Sequence, residues 1–307
     1  MIRAHVNNIE TMRRFIDECN LDPADKYIVK PNWFFQGIGF YTDARTLQLL
    51  LECLDKVIVI ESYTFQRNDG TRSITPTNGK ENWSWIREQD RQFLHTTGFD
   101  ELFKEYDVEY VNLTEEVWSD RIANSNNVRK SVEASFSPVT REELYDQVPE
   151  CIYAMRGRRL LSFAKLKQQR VNRVSATLKN IFGNIINPNR MGWHGNTGSD
   201  LARSIVDVNK VYASLFKISG VCEAIFSAVK YRKEGKYPVP WGFRYDLTEN
   251  LGLAFYGDRL VDVDAYLAQS CGIDPTKVEH IRLAAKEFGS WESSLIEDAK
   301  AHPIVFT

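Results

Sequence analysis

The run Val57-Ile58-Val59-Ile60 sets the tightest limit on how this chain can fold. Four consecutive β-branched residues favour a strand. Without polar alternation, that strand needs cover on both faces, which is the setting of a parallel sheet layered with helices. Its surroundings agree. Ile9, Met12, Phe15 and Ile16 recur at helical spacing and predict a helix over residues 8–19. A short strand is expected over 26–30, then a helix over 43–55 with Thr42 or Asp43 as its N-cap. A helix over 82–96 and a strand over 107–112 continue the alternation beyond Glu61. Strands separated by helices imply βαβ units. The expected fold is therefore α/β: a mostly parallel, Rossmann-like sheet flanked by helices, with an inserted polar loop or flap.

The 307 residues suit one α/β domain over 1–307, or two lobes over about 1–150 and 151–307. Residues 62–80, rich in Thr, Asn, Asp and Gly, follow a strand end and read as an active-site loop or a plain surface loop. The polar stretch 120–140 reads as the flap or an inserted hairpin, and 198–217 as a helix. Gly235, Pro238, Pro240 and Gly242 mark 231–250 as a long connection. Residues 262–272 and 275–288 read as a closing helical pair, with Asp262 as a cap and Pro275 in the first turn of the second helix. Trp83, Trp85, Phe93 and Phe99 are expected in the core.

Net charge is −2, so any basic site must be local, which argues against a nucleic-acid binder. No apolar stretch approaches the roughly 20 residues a membrane span needs, and Met1-Ile2-Arg3-Ala4-His5 lacks an apolar signal core. A cytoplasmic protein is the default expectation, and a homodimer stays open. The five cysteines are far apart with no Cys-x-x-Cys pair, so they read as small buried hydrophobes rather than metal ligands.

Lysines stand where the strands should end. Lys30 closes 26–30 and is followed by Pro31-Asn32, while Lys165 and Lys167 close the apolar run from Leu160. Parallel strands open at their carboxyl ends into the crevice where such sheets bind ligands, so converging lysines there suit an anion. Pro31 keeps Lys30 out of helical backbone angles. Glu61 at its strand end is either a partly desolvated acid/base or a structural partner of a lysine. Gly37-Ile38-Gly39-Phe40-Tyr41-Thr42 mimics a dinucleotide fingerprint but lacks the tight strand–turn–helix context. In Thr177-Leu178-Lys179-Asn180-Ile181-Phe182-Gly183, a helix would set Lys179 and Gly183 one turn apart, and Gly183 would admit a close neighbour. His194 lies among Gly192, Gly195, Asn196 and Gly198, a setting suited to proton transfer or metal binding. Asp264 could orient a lysine or a ligand hydroxyl.

Taken in order, these segments resemble the family catalogued as domain of unknown function three-six-two. The matching residues are Lys30-Pro31-Asn32, Glu61, Gly98 with Phe99-Asp100-Glu101-Leu102, and Lys165 with Lys167. They continue through Leu178-Lys179-Asn180-x-Phe182-Gly183, His194, and Asp262-Val263-Asp264-Ala265 with Gly272-Ile273-Asp274-Pro275. The likeness runs from about residue 26 to 290, and the Lys-Asn-x-Phe-Gly block is its most specific part. More distantly, Lys179, Gly183 and His194 look similar in order and spacing to the catalytic domain of nickel-pincer lactate racemases. That likeness implies a lysine-linked cofactor at Lys179 and a divalent metal at His194.

The functional expectation is an enzyme acting on a small carboxylate- or phosphate-bearing metabolite. Lys30, Asn32, Lys165, Lys167 and Asn180 would hold the anion. Lys179, His194 and Glu61 would carry proton transfer in an isomerase, racemase or lyase. A transferase or ligase on a nucleotide or phosphorylated substrate, and a non-catalytic anion- or cofactor-binding protein, are the alternatives.

Overall fold

The computed structural model describes residues 1–67, 80–195 and 198–306. Twelve strands are described: β1 (Ile2–His5), β2 (Lys26–Lys30), β3 (Lys56–Glu61), β4 (Glu109–Asn112), β5 (Arg159–Lys165), β6 (Lys167–Gln168), β7 (Val174–Ser175), β8 (Lys217–Ala224), β9 (Ser227–Tyr231), β10 (Tyr237–Pro238), β11 (Arg244–Glu249) and β12 (Leu253–Gly257). In the first half lie the helices α1 (Ile9–Glu18), α2 (Ala44–Leu51), α3 (Trp83–Thr96), α4 (Phe99–Glu105), α5 (Leu113–Trp118) and α6 (Ser125–Glu133). In the second lie α7 (Glu150–Ala154), α8 (Thr177–Ile181), α9 (Leu201–Leu215), α10 (Leu260–Ser270), α11 (Glu279–Phe288) and α12 (Ser293–Ala301). No helix among the described residues is long and apolar enough to cross a membrane.

Seven strands form one sheet in the order β1-β12-β8-β5-β2-β3-β4. β8, β5, β2, β3 and β4 run parallel, and β12 and β1 add antiparallel pairings at one edge. The sheet thus takes strands from both halves of the chain. Its inner strands are buried on both faces, as the β-branched run requires. Ile28, Ile58, Ile60 and Leu160 join the core beneath α9 and α10. The alternate residues Tyr27, Val29, Val57, Val59 and Leu161 pack on α1, α2 and α4 across the sheet. Chain order runs outward through β2, β3 and β4, then returns to β5 on the other side of β2. The crevice between β2 and β5 is therefore the switch point of this α/β arrangement.

A second sheet, β10-β11-β9-β6-β7, stands at that crevice. One residue, Leu166, separates β5 from β6, and two separate β8 from β9. The parallel pair β5–β8 thus continues past its carboxyl ends as the parallel pair β6–β9. Phe35, Phe40, Val229, Val239 and Tyr245 form a small core of their own beneath this sheet.

Several expectations are corrected. Residues 120–140 hold helix α6, capped by Asn124 and anchored by the fully buried Val128 and Val132, so they make neither flap nor hairpin. Apolar spacing of four residues within a polar run was enough to dock it. Residues 231–250 carry β10 and β11 rather than a bare connection, since their glycines and prolines punctuate short antiparallel strands. Pro275 opens a 3-10 turn, Pro275–Lys277, ahead of α11. Helix α10 begins at Leu260, which puts Asp262 inside its first turn rather than at the cap. Trp85 is exposed, not in the core. Of the loop expected over 62–80, residues 68–79 lie outside the described residues.

Gly37 to Thr42 does not form a dinucleotide loop. Trp33 and Tyr41 are bridged antiparallel, closing the segment into a turn that rests on the second sheet. Gly39 has φ +80°, and a Cβ there would lie 2.6 Å from Val229 Cγ1 and 3.0 Å from Leu247 Cδ1. We expect Gly39→Ala to destabilise the protein by about 2–4 kcal/mol, from left-handed strain plus overpacking. Urea unfolding measures this, and a change below 0.5 kcal/mol would show that the turn does not lean on the second sheet.

Candidate functional site

A cavity of about 290 Å³ opens between the two sheets at the carboxyl ends of β2 and β3. Lys30, Asn32, Glu61, Lys167, Lys179 and Asn180 line it, and Arg190 and His194 complete its polar end. Seven of the nine residues singled out from the sequence, His194 among them, thus line one cavity.

Lys30 and Glu61 end the neighbouring strands β2 and β3, and both are buried. Lys30 Nζ donates to Glu61 Oε2 at 2.9 Å and to the Pro31 carbonyl at 2.7 Å. Glu61 Oε1 accepts from the Ser62 amide at 3.0 Å. Burial pulls the Lys30 pKa down to about 8, against the pull of Glu61. Of the two readings of Glu61, the geometry favours the partner of a lysine. Gly183 lies against this pair: a Cβ there would come 2.8 Å from Lys30 Nζ and 3.4 Å from Glu61 Oε1. The close neighbour that Gly183 admits is thus a side chain of the site itself.

Asn180, on α8, ties the switch point together. Its amide donates to the Lys30 carbonyl at 2.7 Å and to Ser162 Oγ, on β5, at 3.1 Å. Its oxygen accepts from Asn32 Nδ2 at 3.3 Å. Asn32 Oδ1 in turn accepts from Lys167 Nζ, which also donates to the Phe40 carbonyl at 3.1 Å. Burial, then the nearby Lys179 and Lys165, hold the Lys167 pKa well below its ordinary value.

Lys179 Nζ donates to Gln169 Oε1 and to Asn172 Oδ1, each at 2.9 Å. The residue keeps part of its surface open, yet protein atoms crowd its amine and lower its pKa to about 8. His194, whose ring centroid lies 5.8 Å from that of Phe182, has its pKa lowered to about 4 by burial and by the charges of Lys179 and Arg190. Its imidazole is therefore neutral at pH 7. Among the described residues no cluster of three or more His, Cys, Asp or Glu could hold a metal ion. Since His194 also faces cations, the metal-ligand expectation for it lacks a donor set.

Two expected members lie outside the cavity. Lys165 is fully buried in a 3.0 Å salt bridge with Glu223, its register partner on β8. Asp264, on α10, receives the Thr177 amide at 2.7 Å, Thr177 Oγ1 at 2.6 Å and the Leu178 amide at 3.2 Å. It caps α8 from a distant helix, and burial raises its pKa to about 7. Both residues shape the site without touching it. Asn209, on α9, holds the same helix by donating to the Leu178 carbonyl at 2.8 Å.

Sequence reasoning missed Arg190, which donates to the carbonyls of Gly183, Tyr63 and Ile185 at 2.9, 3.1 and 3.1 Å. Burial lowers its pKa to about 10. It also missed Gln169 and Asn172, and the aromatic wall of Trp241 and Phe243 brought by the second sheet. The Pro188-Asn189-Arg190 turn was the one available signal, and it gives no direction for the side chain.

A buried ion pair is costly to halve. We expect Glu61→Gln to destabilise the fold by about 3 kcal/mol near pH 7, because the Lys30 ammonium loses its counter-charge. The double variant Lys30→Met/Glu61→Gln should recover most of that. Chemical denaturation of the wild type, both single variants and the double variant checks this, and strictly additive losses would remove the pair from the account.

The family model described as Domain of unknown function (DUF362) matches residues 28–269, from β2 into α10, and so takes in every polar residue of the cavity named above. No curated protein and no solved structure matches the chain. No match links it to the nickel-pincer lactate racemases. With most of its length under that one model, the chain belongs to the family Domain of unknown function (DUF362).

Proposed function

We propose that the chain binds a small carboxylate- or phosphate-bearing metabolite in the cleft between its sheets and carries out proton transfer on it, as an isomerase, racemase or lyase does. The charge balance of the buried lysines carries this reading. Among the described residues four lysines are exposed by 2 % or less: Lys30, Lys165, Lys167 and Lys210. Three of them are bridged to carboxylates, those of Glu61, Glu223 and Asp207. The amine of Lys167 has only neutral oxygens, as do Lys179 and Arg190 beside it, with no salt-bridge partner among the described residues. An entering anion would supply the missing charge, at a site with few water molecules to compete.

Lys179 suits the proton transfer. Its pKa of about 8 lies close to neutrality, where a general base is most effective, whereas His194 at about 4 is too weak a base and serves as a neutral hydrogen-bonding partner. Lys167 and Arg190 would stabilise an enolate-like charge developing on the guest. Glu61 keeps Lys30 in place. The five cysteines are free, which fits a reducing, cytoplasmic setting.

The protonated amines bind the anion. Raising the pH through about 8 strips Lys30 and Lys179 of their protons, so affinity should fall above that value by up to tenfold per pH unit for each of the two amines. The fall should be shallower in Lys179→Met. Calorimetric titration with acetate, phosphate and simple 2-hydroxy and 2-oxo acids measures this, and binding in buffers of different ionisation enthalpy should reveal proton uptake. For the chemistry, wild-type protein in D2O should wash deuterium into the α position of a bound carboxylate, and Lys179→Met should not. Absence of any anion binding would remove the reading. Binding without exchange for every acid offered would reduce it to a non-catalytic binding protein.

A further inference from the structure

We infer that the anion selected by this cleft carries a flat, conjugated body next to its charge, as an arylacetate or a β,γ-unsaturated carboxylate does, which keeps an α-hydrogen for the proton transfer proposed above. The inference rests on the anion-binding reading above and adds the substrate class to it.

The cavity has two chemically different ends. One is the amine and amide set around Lys167, Lys179 and Asn32. The other is aromatic: Phe34, Trp241 and Phe243 line it and keep part of their surface open. These rings pack on the small core of Phe35, Phe40 and Tyr245 and still leave part of their surface to the cavity. The Trp241 centroid lies 5.5 Å from that of Phe34 at 60° and 5.1 Å from that of Phe35 at 78°. Such a corner offers a guest ring both a face and an edge, the arrangements that aromatic pairs prefer. Arg170 stands over Phe243 at 5.0 Å and adds a cation near that end.

The chain itself joins the two ends. Asn32 and Phe34 flank Trp33, whose ring turns the other way to meet Phe93 and Phe99 at 5.6 and 4.4 Å. Asn32 and Phe34 both line the cavity, on either side of that residue. Asn32 is bonded to Lys167, and Phe34 is packed on Trp241. A carboxylate held by Lys167 would thus leave the rest of its guest beside the aromatic corner of the same cavity. An aliphatic guest of equal area gains only from leaving water. A conjugated one adds ring–ring attraction worth roughly two- to tenfold in affinity.

The test is calorimetric titration of the full chain with benzoate, cyclohexanecarboxylate and acetate at pH 7. Benzoate should bind at least tenfold more tightly than acetate and at least twofold more tightly than cyclohexanecarboxylate. Phe243→Leu keeps apolar bulk but removes a ring, and should bring the benzoate-to-cyclohexanecarboxylate ratio close to one, with folding checked by circular dichroism. Trp241→Leu is the second variant and should do the same. Acetate and benzoate bound equally, or cyclohexanecarboxylate matching benzoate, would overturn this inference while leaving the anion site standing. No binding of any of the three would overturn both.

Discussion

The contact between Lys30, Glu61 and Gly183 governs the rest of the site. Two charged residues at neighbouring strand ends are removed from water, and the turn after α8 is laid directly over them. Because Gly183 has no side chain, the backbone can descend to the pair, and its carbonyl then becomes an acceptor for Arg190. The same descent brings Asn180 onto the Lys30 carbonyl and Ser162, bridging the gap where the chain reverses direction across the sheet. Lys179 follows as the adjacent residue of the same short helix. A five-residue helix has little stability of its own. It is held by Asp264 at its start and by Asn209 along its length, so the site is fixed by side chains reaching in from α9 and α10.

The second sheet gives the crevice a wall. An open sheet edge would leave strand-end amines in water, where an added charge is worth little. Carrying β5 and β8 onward as β6 and β9 raises a wall over those ends and places Lys167 on it. The amines are thereby desolvated, which explains why Lys30 and Lys179 are pulled down to about 8. Placing charge in a low dielectric strengthens every later interaction with a guest. The wall also contributes Trp241 and Phe243, so one architectural device supplies both the electrostatics and the apolar surface.

The sheet was legible in the sequence because its strands are buried on both sides. Val57-Ile58-Val59-Ile60 has one plausible environment, and helices such as α1 show their period openly. The second sheet was not legible. Its strands are two to six residues long, and Gly235, Pro238, Pro240 and Gly242 read as coil until partners are known. Helix α6 was hidden by polar residues around Val128 and Val132. Strand ends told where lysines would gather, but strand pairing decides what each one meets. Lys165 and Lys167 are two residues apart, and only coordinates reveal that the former lies opposite Glu223 while the latter turns to the cleft.

That divergence bears on why the cleft is cationic. The fold has the means to neutralise buried amines, since Glu223, Glu61 and Asp207 each do so. Lys167 sits within a few residues of such a solution and lacks it. Stability gives no reason to keep an amine there, because an apolar residue of similar length would fill the space without the desolvation cost. The neutral oxygens of Asn32, Phe40, Gln169 and Asn172 orient the two cleft lysines without cancelling their charge. A carboxylate in any of those places would hold the lysines more firmly and would supply the charge that the proposed anion brings. Polar but uncharged support is the arrangement that leaves the positions of the amines fixed and their charge available.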